Sequence, residues 1–124
     1  MRRWLIVAAL GGFSAVGLGA FGAHLLQAAL PAHEMALFET AVRYQMWHSL
    51  ALMGVALAMN KTTVHQPALV VAAWAFATGM VLFCGALYAI ALTGWHAVAP
   101  LAPLGGAAFL LGWASLARAA WRRA

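Results

Sequence analysis

Glu39, Arg43, Tyr44, Gln45 and His48 fall within ten residues of one another, in a chain where such side chains are scarce. On a helix, Glu39 and Arg43 stand four apart, in the order that favours an ion pair. Tyr44 and His48 repeat the four-residue step on the face of Thr40, and Gln45 and Ser49 repeat it on the next stripe. His24 lies upstream, and Cys84 and Tyr88, again four apart, lie downstream. Three chemistries suit these residues. Arginine, tyrosine and histidine inside a membrane can line a path for ions, protons or a small solute. His24 and His48, on different helices, can ligate haem iron. Alternatively, histidine, glutamine and tyrosine can satisfy one another across helices, at roughly 0.6 kcal/mol per bond. Catalysis is the poorest match. Glu34 and Glu39 are the only carboxylates, and no nucleophile, base and acid converge at helical spacing. The expectation is a non-enzymatic protein with no resident metal or cofactor.

The medium around these groups follows from composition. Hydrophobic residues make up 66% of the 124-residue chain and charged residues 7%. A soluble domain carries roughly 25% charged residues, and this chain has too little polar surface to cover a core in water. Lipid is the solvent it suits. The formal net charge of +5 sits at the chain ends and in one loop, with no basic, aromatic-interleaved face, so nucleic acid is not an expected partner. One cysteine, Cys84, permits no intrachain disulfide. In an apolar setting it reads as an inert packing residue.

The elements that must position the polar set are four apolar spans, at about 4–26, 40–59, 68–92 and 98–117, each near bilayer length. They form one transmembrane domain over residues 1–124. Pro31 closes the first segment, and the second span begins somewhere between Leu37 and Tyr44. Met1-Arg2-Arg3 before an apolar run mimics a secretory signal, but the uncharged stretch from Trp4 to Ala23 is too long for one and reads as a retained helix. Short connections make neighbours antiparallel, so the fold class is all-α, an integral membrane four-helix up-down bundle. With both termini in the cytoplasm, the inner side holds Arg2, Arg3, Lys61, Arg118, Arg122 and Arg123, and the outer side only Arg43. Trp4 and Trp121 fall at the inner interface and Trp95 at the outer one.

Small residues recur where these helices would meet: Gly11, Gly12, Ala15, Gly19 and Gly22 in the first span, and Gly105, Gly106 and Gly112 in the last. They read as close packing within the chain, and a self-association face is the sharper alternative. Counting outward from the turns at about 1.5 Å per residue, His24, Arg43, Tyr44, Gln45 and Tyr88 share one level in the outer half of the bundle, with His48 beneath them.

Four stretches carry a family resemblance: Gly19-Ala20-Phe21-Gly22-Ala23-His24, Tyr44-Gln45-x-x-His48, Phe83-x-Gly85-x-Leu87-Tyr88, and Pro103-x-Gly105-Gly106-x-x-Phe109-Leu110-x-Gly112-Trp113. In this order, over nearly the whole chain, they resemble the YgdD-like family of small bacterial inner-membrane proteins, a domain of unknown function. The resemblance implies a four-helix membrane protein of the bacterial inner membrane without a cleaved signal, and brings no activity with it. Relatives often have serine where this chain has Ala86 and Cys84. Three functional readings follow from the residues. The first is a helix-packing or partner-binding protein, with membrane lipid, a second copy or another membrane protein as partner. The second is an oligomeric carrier or channel with a cavity lined by Arg43, Tyr44, His48 and Tyr88. The third is a haem, metal or quinone binder using His24 and His48.

Overall fold

The computed structural model describes residues 1–62 and 66–122. Arg123 and the centre of the second connection lie outside the described residues. Helix α1, Arg2–Phe21, continues into a π turn, Gly22–Leu26. Helix α2 is Ala32–Asn60. The third span consists of α3, Pro67–Gly79, a π turn, Met80–Cys84, and α4, Gly85–Thr93. After a 3-10 turn, His96–Val98, comes α5, Leu101–Trp121. No strand occurs among the described residues. Arg2–Leu26, Pro67–Thr93 and His96–Trp121 are each long and apolar enough to cross a membrane. Helix α2 has 29 residues, but Arg43, Gln45 and His48 dilute its apolar character. The chain is an all-α, four-helix membrane bundle.

Local chemistry sets the helix ends. Pro31, with φ −58 and ψ 159, turns the chain into α2, and Glu34 sits in its first turn, where a carboxylate complements the helix dipole. The helix that carries the second span therefore starts at Ala32, and Glu39 lies inside it. Pro67 opens α3 at a position where its missing N–H costs nothing. Gly94 ends α4 in the left-handed region at φ +71, its N–H donating to the Ile90 carbonyl at 2.9 Å. Glycine adopts that conformation without the Cβ penalty.

Helices α1 and α5 flank the bundle, with α2 and the third span between them. Helix α1 packs antiparallel on α2. A Cβ on Gly22 would lie 2.6 Å from Phe38 Cε1, one on Gly19 would lie 3.3 Å from Val42 Cγ1, and one on Gly11 would collide with Ser49 Oγ. Helix α5 packs antiparallel on the third span in the same way. Gly112 receives Phe76, and Gly105 lies against the backbone of Phe83. Ala15 is buried at 1% exposure. Gly12 and Gly106 face open space, with nothing within 4 Å of a Cβ, so these two of the expected packing glycines do not pack within the chain. Neighbouring helix positions point about 100° apart, and Gly11 and Gly105 take the contact faces. The outer faces carry Phe13 and Leu110, 81% and 73% exposed, as expected where lipid tails are the solvent. Trp121 and Trp95 are exposed, but Trp4 is buried. Its ring meets Trp74 edge-on at 5.0 Å, with the Arg3 guanidinium 5.1 Å from its centroid. Trp4 thus joins α1 to α3 instead of facing the interface.

Candidate functional site

The polar residues of α2 form two separate groups, because Tyr44 and His48 lie on one stripe of the helix and Gln45 and Ser49 on the next. The Gln45 stripe faces α1 and α4. Gln45 Nε2 donates to the Gly11 carbonyl at 2.9 Å and to Ser14 Oγ at 2.7 Å. Gln45 Oε1 accepts from the Tyr88 hydroxyl at 2.8 Å. One amide therefore bridges three helices, with both of its N–H groups and its carbonyl engaged. Ser49 donates to the Gln45 carbonyl at 2.7 Å, and its Oγ lies 3.4 Å from Met80 Sδ in the π turn.

The His48 stripe faces α5. Trp113 Nε1–H donates to His48 Nε2 at 3.2 Å, so that nitrogen is the acceptor. The proton then sits on Nδ1, which donates to the Tyr44 carbonyl at 2.7 Å. His48 is thereby held as one neutral tautomer with both nitrogens occupied. Its ring stacks on Phe109 with centroids 3.5 Å apart and planes 11° apart. Tyr44 stacks on the same imidazole and packs on Phe83 at 4.6 Å. Phe76 packs against both His48 and Trp113. His48 is 5% exposed, and none of the described buried polar side-chain atoms lacks a hydrogen-bond partner.

Tyr44, Gln45, His48 and Tyr88 are thus brought into the centre of the bundle. His24 and Arg43 are not. His24 lies in the π turn at the end of α1 and is exposed. It shares a level with the group, as counted from the turn, but points away from it. Arg43 is also exposed, and its guanidinium meets Thr40 Oγ1 at 3.4 Å instead of pairing with Glu39. The composite outer cluster expected from depth alone is therefore divided. A haem bridge between His24 and His48 does not suit this arrangement, since His48 has no free lone pair. Cys84 is buried. Two participants, Ser14 and Trp113, are not apparent from the spacing of ionisable residues. Their signal is subtler: a hydroxyl three residues after Gly11 on the small-residue stripe, and an indole N–H deep within an apolar span.

Among the described residues, three of the surface clefts on the bundle have walls that do not include Tyr44, His48 or Tyr88. Arg43 and Glu39 border one of about 200 Å³ between α1 and α2, beside Gly19 and Gly22.

Fold and site together define a small polytopic membrane protein whose helices are tied by buried polar side chains. Residues 18–106 match the family described as protein of unknown function (DUF423), and the chain belongs to that family. It is similar to the UPF0382 inner membrane protein YgdD of Escherichia coli (strain K12), 41% identical over 119 residues that cover 91% of this chain and 85% of the relative. The UPF0382 membrane protein YwdK of Bacillus subtilis (strain 168) is 37% identical over 120 residues, covering 97% of each. The UPF0382 membrane protein SAB0533 of Staphylococcus aureus (strain bovine RF122 / ET3-1) is 36% identical over 116 residues, covering 94% of this chain and 93% of the relative. No solved structure matches the chain.

Proposed function

We propose that this chain is a non-enzymatic protein of the bacterial inner membrane that acts by packing against other membrane components, a second copy or a different membrane protein, with Tyr44, Gln45, His48 and Tyr88 serving as interhelical ties and not as a site. One observation carries this reading: the buried polar atoms of the two groups are satisfied within the chain. A carrier needs polar groups that exchange partners with a solute, and a cofactor site needs a free donor. Gln45 and His48 offer neither. The apolar outer faces of α1 and α5 are where a membrane partner would sit. Both termini are cytoplasmic, on the distribution of Arg2, Arg3, Lys61, Arg118, Arg122 and Arg123 against Arg43.

Native mass spectrometry of the protein released from its own membrane in mild detergent tests the first part. The expected mass is that of the chain, its multiples or a protein complex, without a prosthetic group. Stoichiometric haem, quinone or metal would overturn the reading, as would ion flux into liposomes that disappears in His48→Ala. A carboxyl-terminal reporter active only in the cytoplasm is expected to be active, and its silence would overturn the orientation.

A further inference from the structure

At the end of the bundle that carries both termini, a cleft of about 530 Å³ opens between α3 and α5. Arg118 and Arg122, one helical turn apart on α5, line its mouth, and Ser115 lies a turn further in. The opposite wall starts at Pro67 and Ala68, the first residues of α3, whose amide end carries positive partial charge. Among the described residues, neither guanidinium has an ion-pair or hydrogen-bond partner and no carboxylate lines the cleft. A second cleft of about 340 Å³ continues from the first. Val71 and Leu111 line both, and the second adds Trp74, Thr78 and Ala108. The two make one groove, cationic at the water end and apolar over roughly 16 Å of α3.

We propose that this groove binds an anionic phospholipid, with the phosphate on Arg118 and Arg122 and one acyl chain lying along Val71, Trp74 and Leu111. The charge selects an anion. Two unpaired guanidiniums at one mouth form planar, phosphate-matching forks, and basic pockets between membrane helices at the headgroup level suit anionic lipids. The apolar continuation selects a lipid over a free anion, because inorganic phosphate would use only the mouth. The inference is independent of the ties around Gln45 and His48 and of which side of the membrane the termini occupy.

Native mass spectrometry in neutral detergent, titrating dioleoylphosphatidylglycerol against dioleoylphosphatidylcholine, reads it directly. The wild-type chain is expected to prefer phosphatidylglycerol by about tenfold or more. Each arginine near the headgroups contributes about fivefold, so R118Q/R122Q should weaken phosphatidylglycerol roughly thirtyfold and abolish the preference. R118K/R122K, which keeps both charges, should retain a preference. Val71 is 42% exposed, so Val71→Trp should fill the junction of the two clefts and weaken both lipids without disturbing the core. R2Q/K61Q removes two charges that do not line the cleft and should leave binding within about twofold. Excess inorganic phosphate should not displace the lipid. Three results would overturn the proposal: phosphatidylglycerol binding within twofold of wild type in R118Q/R122Q, an equal loss in R2Q/K61Q, or displacement by inorganic phosphate with Val71→Trp silent.

Discussion

Gly105 and Gly106 are neighbours in sequence with opposite demands, and alanine at each provides a matched test of the packing. A Cβ on Gly105 would collide with the Phe83 backbone nitrogen and lie 2.7 Å from Phe83 Cβ and 2.8 Å from Phe83 Cα. Carbon atoms prefer about 3.5–4.0 Å, so roughly 1 Å of separation is missing. The obstacle is largely backbone, within the π turn, so no side-chain rotation relieves it and α5 must move off the third span. Overpacking of this kind costs about 1–3 kcal/mol. At Gly106 nothing lies within 4 Å of a Cβ, and replacing a mid-helix glycine by alanine gains about 0.5–1 kcal/mol. The two variants should therefore differ by ~1.5–4 kcal/mol, at least about tenfold in the unfolding equilibrium. Reversible unfolding in mixed micelles by rising SDS, followed by tryptophan fluorescence, measures the difference. Gly106→Ala should match or exceed wild type, and Gly105→Ala should fall well below it. Equal stabilities would show that α5 does not approach Phe83 as described, and would remove the basis for close packing between these helices.

Two further outcomes concern the polar ties. Gln45→Leu and Tyr88→Phe should each destabilise by about 0.6–1.7 kcal/mol, and the double variant by less than their sum, since both break the same Oε1 bond; strict additivity in the SDS assay would show that the two side chains do not meet. His48→Phe keeps the ring on Phe109 and loses the bonds to Trp113 and to the Tyr44 carbonyl, so at roughly 0.6 kcal/mol per bond its cost should stay near ~1 kcal/mol, whereas His48→Ala opens a cavity costing about 2–4 kcal/mol. Equal losses would mean that the stack contributes nothing.

Much of this architecture is legible in the residues. The hydrophobic runs mark the spans, because bilayer thickness fixes helix length. The four-residue steps of Tyr44–His48 and Gln45–Ser49 are real stripes. Which neighbour each stripe faces is not legible, because helical spacing gives relative angles within one helix and says nothing of the bundle around it. The same gap explains His24: counting residues from a turn gives depth but not direction, and the π turn at Gly22–Leu26 alters the direction further. It also explains why Gly12 and Gly106 looked equivalent to Gly11 and Gly105. Ser14 and Trp113 are invisible to a search for ionisable groups, although they supply neutral hydrogen-bonding groups to Gln45 and His48 of α2. Pro31 and the helix dipole favour a helix through both Glu34 and Glu39, so α2 begins ahead of the apolar stretch that composition alone marks.

The π turn at Met80–Cys84 lets the third span be out of phase with itself. A π turn takes up more residues than an α turn, so the stripe of α4 is rotated relative to the one α3 would have continued. Helix α3 presents Phe76 and Gly79 to α5, while α4 presents Tyr88 to Gln45 and Phe38 of α2. An uninterrupted α-helix would carry the register of α3 into α4 and turn Tyr88 away from Gln45 and Phe38. Deleting one residue within 80–84 would restore that uninterrupted register, swinging Tyr88 about 100° around the axis. The irregular turn thus allows one membrane-spanning rod to act as the hub for helices on two sides, and four short helices close into a bundle without a loop inside the bilayer.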